Sequence, residues 1–140
     1  MTYEEALKLS QSEKVRHKRS VRDEEHRLQC MCVSWFNIEF PEAKGLLFAI
    51  PNGGYRDERT AAKLKAEGVV AGVADLFLAV ANHGYNGLFI EMKTKDKSSH
   101  QRPSQREFQM RVERQNYKYI VCRTYEQFKE NLIEYYGKET

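Results

Sequence analysis

The sequence predicts an α/β domain, a mixed β-sheet flanked by helices in the order α-β-α-β-β-α-β-α. Three observations carry that reading. Two apolar runs, residues 73–80 (VADLFLAV) and 87–93 (GLFIEMK), are rich in β-branched and aromatic residues and flank a short polar turn, the pattern of a hairpin. Leu28, Met31, Cys32, Trp35 and Phe36 recur at three- and four-residue steps, the stripe of an amphipathic helix. Ser104 with Glu107, and Thr124 with Gln127, have the spacing of capping boxes that open two further helices.

In chain order, residues 1–21 are polar and weakly periodic and form an N-terminal arm, helical or partly ordered; residues 22–140 form the domain. The apolar stripe predicts a helix over 22–36, with Pro41 past its end. Residues 46–50 read as a short buried strand, stopped by the turn chemistry of Pro51-Asn52-Gly53-Gly54. A helix over about 56–67 carries Ala61, Leu64 and Lys65 until Gly68 ends it. After the hairpin, a polar loop over 95–103 leads to a helix opened by Ser104 and running to about 115. Residues 117–122 read as a strand, and the helix capped by Thr124 runs to about 136. Repeats, low-complexity stretches and interdomain linkers are absent from the sequence.

With 140 residues, 41% of them hydrophobic and 31% charged, the chain has the composition of one globular domain with a real core. No apolar run approaches the ~20 residues that span a bilayer, and the N-terminus lacks a signal-peptide core, so the expected location is the cytoplasm. Cys30, Cys32 and Cys122 are an odd set, and Cys30-x-Cys32 lacks the second ligand pair of a zinc site; buried free thiols are expected. The net charge of +3 says little, but its distribution says more. Lys14, Arg16, Lys18, Arg19 and Arg22 crowd the N-terminal region, while Lys93, Lys95, Lys97, Arg102, Arg106, Arg111 and Arg114 follow the second apolar run. Such clustering suits a polyanion footprint, although a solvated helical surface has the same look. The Gly-Lys-Ser/Thr of a phosphate-binding loop is absent, so no nucleotide cofactor is expected.

Charges inside buried strands are costly unless they are paired or bound to metal, so Asp75 and Glu91-x-Lys93 call for an explanation. A hairpin centred near His83 sets Asp75 opposite Glu91, and the two-residue alternation of a strand points Glu91 and Lys93 the same way. Leu88, Ile90 and Met92 then face the other side. Two carboxylates with the Met92 carbonyl between Glu91 and Lys93 are hard oxygen donors suited to Mg²⁺ or Mn²⁺. A neighbouring amine can orient a water or stabilise charge on a phosphate. A buried Asp75–Lys93 ion pair explains the same residues without metal. Three features add weight to the metal site. Glu25 and Gln29 share one helix face; Asn52-Gly53-Gly54 ends a strand with exposed backbone amides that let a phosphate approach; and Gln105 follows the hairpin on a capped helix. Singly, these are a solvated helix surface, a tight turn and a surface glutamine.

Together these residues resemble the VRR-NUC family of the PD-(D/E)xK nuclease superfamily over residues 24–136. The resemblance rests on the segments AIPNGG (49–54), the helix over 61–68, GVADL (72–76) and GLFIEMK (87–93), in that order. Ala74 stands where many superfamily members have the Pro of Pro-Asp. The resemblance implies a restriction-endonuclease-like sheet and hydrolysis of phosphodiester bonds in DNA. It makes Asp75, Glu91 and Lys93 the catalytic set, with Glu25 completing the acidic site and binding metal directly or through water. Gln29 and Gln105 become support for that site. Asn52, Gly53, Arg56, Lys95 and Lys97 become contacts to the DNA backbone. Short members of the family resemble junction-resolving enzymes that act as symmetric dimers, which implies a homodimer and a branched substrate such as a Holliday junction. Two other readings stand beside it: a non-catalytic DNA-binding or assembly module, and a nuclease subunit of a larger complex.

Overall fold

The computed structural model describes residues 1–51, 57–96 and 100–137, apart from the side chains of residues 15 and 17–19. A reciprocal cap starts the chain: Thr2 Oγ1 accepts from the Glu5 amide at 3.2 Å, and Glu5 Oε2 accepts from the Thr2 amide at 2.9 Å. Helix α1 (Tyr3–Glu39) then runs unbroken for 37 residues. The expected arm and the expected helix over 22–36 are therefore one helix, with no break at residue 21. The Thr2-x-x-Glu5 signal was present in the sequence, and no Gly or Pro lies in the helix interior to stop it. The Phe40 amide closes the helix onto Phe36, and Pro41 opens a 3-10 turn (Pro41–Ala43).

Four strands form one sheet in the order β1-β2-β3-β4. They are β1 (Leu47–Ala49), β2 (Leu76–Leu78), β3 (Leu88–Met92) and β4 (Lys118–Cys122). The first two pairings are antiparallel and the β3–β4 pairing is parallel, as the crossover through helix α3 (Pro103–Arg114) requires. Helix α2 (Glu58–Ala66) lies between β1 and β2 in sequence, and α4 (Tyr125–Tyr136) ends the fold. The α/β class and the element order are those expected, with the 3-10 turn added.

One face of the sheet makes the core. Leu76, Leu78, Leu88, Ile90 and Met92 pack with Cys32 and Phe36 of α1 and Phe128, Leu132 and Tyr135 of α4. The Trp35 ring sits edge-on to both Phe40 and Phe128. The other face is aromatic: Phe89 contacts Phe77, Phe108 of α3 and Tyr117, which seats α3 on the sheet.

Several expectations are corrected. Strand β1 is not buried throughout: Leu47 is, but Leu46 and Phe48 are exposed, because β1 is an edge strand. Met31 and Cys30 are exposed on α1, whose apolar stripe is narrower than the spacing suggested; Cys32 and Cys122 are buried, and all three thiols are free. The helix after the hairpin is not opened by Ser104. Pro103 takes the first helical position, where its missing amide costs nothing, and Arg102 becomes the cap residue. At α4 Thr124 does cap the Gln127 amide, at 3.0 Å, but Gln127 Oε1 reaches back to the Arg123 amide and not to that of Thr124. Among the described residues, no helix is long and apolar enough to cross a membrane.

Candidate active site

The site forms where the β2–β3 ladder runs out. The register pairs Leu76 with Ile90, Phe77 with Phe89 and Leu78 with Leu88, which carries Asp75 opposite Glu91 as the hairpin centre at His83 requires. Main-chain pairing of β2 with β3 stops at Leu76, and the Asp75 side chain takes over: its Oδ2 accepts from the Met92 amide at 2.7 Å. The Asp75 carbonyl meanwhile accepts from the Ile50 amide on the β1 side, at 2.8 Å. Asp75 is thus held by strands on both sides. On β3, the Lys93 amide bonds the Cys122 carbonyl at 3.0 Å, which fixes the backbone that displays Glu91 and Lys93.

Three charged or polar side chains are nearly sealed from solvent here: Glu91 at 3%, Lys93 at 6% and Gln105 at 6% exposure. Lys93 Nζ lies 3.7 Å from Glu91 Oε1, so its ion pair among the described residues is with Glu91, not with Asp75 as the pairing alternative had it. Gln105, expected on its own to be a surface residue, is buried instead. Its Nε2 donates to Glu91 Oε1 at 2.9 Å while its Oε1 accepts from the Arg102 amide at 2.8 Å. The first turn of α3 is thereby tied to the acidic pair. Gly72 permits that approach: with φ of +89°, it lies where an added Cβ would run into the Ser104 backbone.

Burial, then the Asp75 charge beside it, pushes the Glu91 carboxyl up to about 8, against the pull of Lys93. Burial also raises Asp75, opposed chiefly by the Met92 amide and then by Glu91, Lys93 and Arg102. Two adjacent acids therefore compete to ionise in a poorly solvated place. Among the described residues, Glu91 Oε2 is buried and receives no hydrogen bond from a donor. An acceptor oxygen with no donor, beside a second carboxylate, fits a hard cation better than it fits a completed protein network. No group of three His, Cys, Asp or Glu side chains is gathered as a cage among the described residues. Asp75 and Glu91 are a close pair, and Glu25 of α1 adds negative charge felt at Glu91.

The remaining expected residues are scattered. Gln29 is half-buried one turn beyond Glu25, and among the described residues no hydrogen bond joins it to the pair. Lys95 is exposed just past the site. Asn52, Gly53, Arg56 and Lys97 lie outside the described residues. Two residues not singled out for the site belong near it. Arg102 acts electrostatically on Asp75, and Tyr119 has its hydroxyl pushed above its ordinary range by burial and by Glu91. Arg102 carried a signal in Arg-Pro before a helix; Tyr119 carried none until β4 was registered against β3. A cavity of about 500 Å³ lined by Val70, Val73, Phe108, Arg111 and Val112 lies between α3 and the 70–73 segment and includes neither Asp75 nor Glu91.

Fold and site together define an α/β domain with a carboxylate pair and a lysine at the end of a central hairpin, clamped from a crossover helix. The chain is similar to a solved structure described as "VRR_NUC domain protein", with a TM-score of 0.66 and 26% identity over 80% of this chain and 87% of that one. The fold is VRR-NUC-like. No protein-family model matches the sequence, and no curated protein does.

Proposed function

We propose that this protein is a VRR-NUC nuclease, a Mg²⁺- or Mn²⁺-dependent endonuclease that hydrolyses phosphodiester bonds in DNA. One observation carries the reading: the half-buried Asp75 paired with the buried Glu91, with Lys93 beside them, in a VRR-NUC-like fold. Asp75, Glu91 and the Met92 carbonyl would hold the cation, with Glu25 a direct or water-bridged fourth donor. The chemistry a cation held there would supply is polarisation of the scissile phosphate and a lowered pKa for a bound water.

The chain's own residues do the rest. Asp75 is aimed by the Met92 amide, and Glu91 Oε1 is held by Gln105 and Lys93, which leaves Oε2 for the cation. The Lys93 ammonium positions the attacking water and offsets charge that builds on the phosphate. Arg102 and Lys95, at the edge of the site, grip neighbouring phosphates with Asn52, Gly53, Arg56 and Lys97, so binding is salt-dependent and mostly sequence-neutral. A homodimer acting on branched DNA such as a four-way junction completes the proposal, since two cuts on one junction need two sites.

The test is incubation of the purified chain with labelled duplex, flap, single-stranded and four-way-junction DNA, with and without Mg²⁺ or Mn²⁺. Metal-dependent cutting is expected, with branched DNA preferred. Asp75→Ala is expected to lower cutting by about three orders of magnitude or more while binding persists. Binding without cutting of any of these with either metal sinks the proposal, and light scattering decides the dimer.

A further inference from the structure

Helix α1 is far longer than the core it serves. Its 37 residues span about 55 Å. Among its described side chains, those packed on the core lie in its C-terminal part: Leu28, Cys32, Val33, Trp35 and Phe36. From Tyr3 to Lys14, and at Arg16 and Ser20, every side chain is exposed, and Val21 is the first half-buried one among the described side chains. With its described side chains exposed, Leu7 and Leu9 among them, this part of the helix lacks the burial that usually sustains one. Its charge is not evenly spread. Glu4, Glu5 and Glu13 precede a stretch, residues 14–22, that has five Lys or Arg and no acid.

The register of that stretch ties it to the active site. Positions 14, 18, 22 and 25 follow steps of four, four and three, which keep them on one face of an α-helix. Glu25, the half-buried member of that face, stands one turn before Leu28, where α1 packs onto the core that holds Ile90 and Met92 of β3. Lys14 lies about 16 Å, and Arg22 about 4.5 Å, up the axis from Glu25 at the helical rise per residue. We infer that this face is a rail for the phosphate backbone of a duplex arm leaving the active site. Its length matches about five base pairs at the spacing of phosphates along one strand. This inference rests on the nuclease reading and adds to it where the substrate runs: along α1, away from the hairpin.

The test compares full-length Lys14→Gln/Arg22→Gln with wild type and with Lys44→Gln/Lys129→Gln, which removes the same charge elsewhere. Binding of a labelled four-way junction is followed by anisotropy across a salt series without divalent metal, alongside anionic lipid vesicles, circular dichroism and light scattering. The rail variant is expected to be folded, unchanged in oligomeric state, and shallower in its log K–log salt slope by about 2, with affinity about tenfold weaker near 0.15 M salt. The control is expected to keep both the wild-type slope and the wild-type rate of single-turnover cutting at saturating DNA. An unchanged slope, an equal loss in the control, a changed oligomeric state, or vesicle binding that exceeds DNA binding overturns the rail. A wild type that cuts nothing while the slope difference persists defeats the nuclease reading and leaves the rail standing.

Discussion

The two faces of the β2–β3 hairpin are made by the same strands and do opposite things. On one, Leu76, Leu78, Leu88, Ile90 and Met92 are buried against α1 and α4 with nothing but apolar neighbours in that cluster. On the other, an aromatic patch gives way at the strand ends to the half-buried Asp75 and to Glu91 and Lys93, almost as deeply buried as the core but charged. The first face supplies folding free energy, roughly 25 cal/mol per Å² of apolar surface removed from water. The second opposes folding, because desolvated acids close together are destabilising. On the nuclease proposal the second face serves chemistry, and the packed first face holds the acids in register.

Substitutions on each face should separate these roles. The largest effect belongs to the apolar side: Ile90→Ala removes a fully buried side chain and is expected to cost about 2–5 kcal/mol by urea unfolding. Cutting per folded molecule should survive. If it collapses at temperatures where the protein is still folded, the faces are not separable. A smaller effect is expected at Gln105, which serves both α3 and the acids. Gln105→Ala loses the bonds to Arg102 and Glu91 and should cost about 1–2 kcal/mol, with weaker metal-dependent cutting. Gln105→Glu keeps an acceptor for the Arg102 amide but sets a third acid against Glu91. Cutting should fall more than stability; equal losses would make Gln105 a helix cap and nothing more.

The sequence made the hairpin legible because both signals were local: apolar runs bounded by Gly and Asn, and a centre at His83 that fixes which residues oppose. Register then followed from chain length in the turn. Element order was legible for the same reason. Helix ends were less so, since Ser104-x-x-Glu107 and the Pro103 start compete over the same turn, and proline's fixed φ wins. The length of α1 was hidden by its polar composition, because periodicity reports burial and the described side chains from Tyr3 to Ser20 are all exposed. Gln105 looked like surface because its burial comes from the acid pair it meets, a contact made fourteen residues away across a loop. Lys93 was recognisable by its spacing from Glu91, but its choice of Glu91 over Asp75 was not, since both acids lie on the face it shares.

The smallest predicted effect tests the comparison most directly, because it asks whether the charged face truly works against folding. In metal-free protein the Glu91 carboxyl titrates near 8, against about 4.5 when unfolded. Between those values the folded state holds a proton that the unfolded state has released. The stability tied to that proton is fully present below about pH 4.5 and is lost as pH rises through about 8. Glu91→Gln cannot ionise, and its amide can donate to Asp75 where a second carboxylate would repel it. With a chelator present, the variant should match wild type near pH 4 and exceed it by about 1 kcal/mol or more at pH 8. Added Mg²⁺ should then reverse the order by mass action, raising the wild-type melting temperature with metal concentration and leaving the variant unmoved. A variant less stable than wild type at pH 8 without metal would mean that Lys93 and Gln105 already compensate the acid, and the two faces would no longer stand opposed.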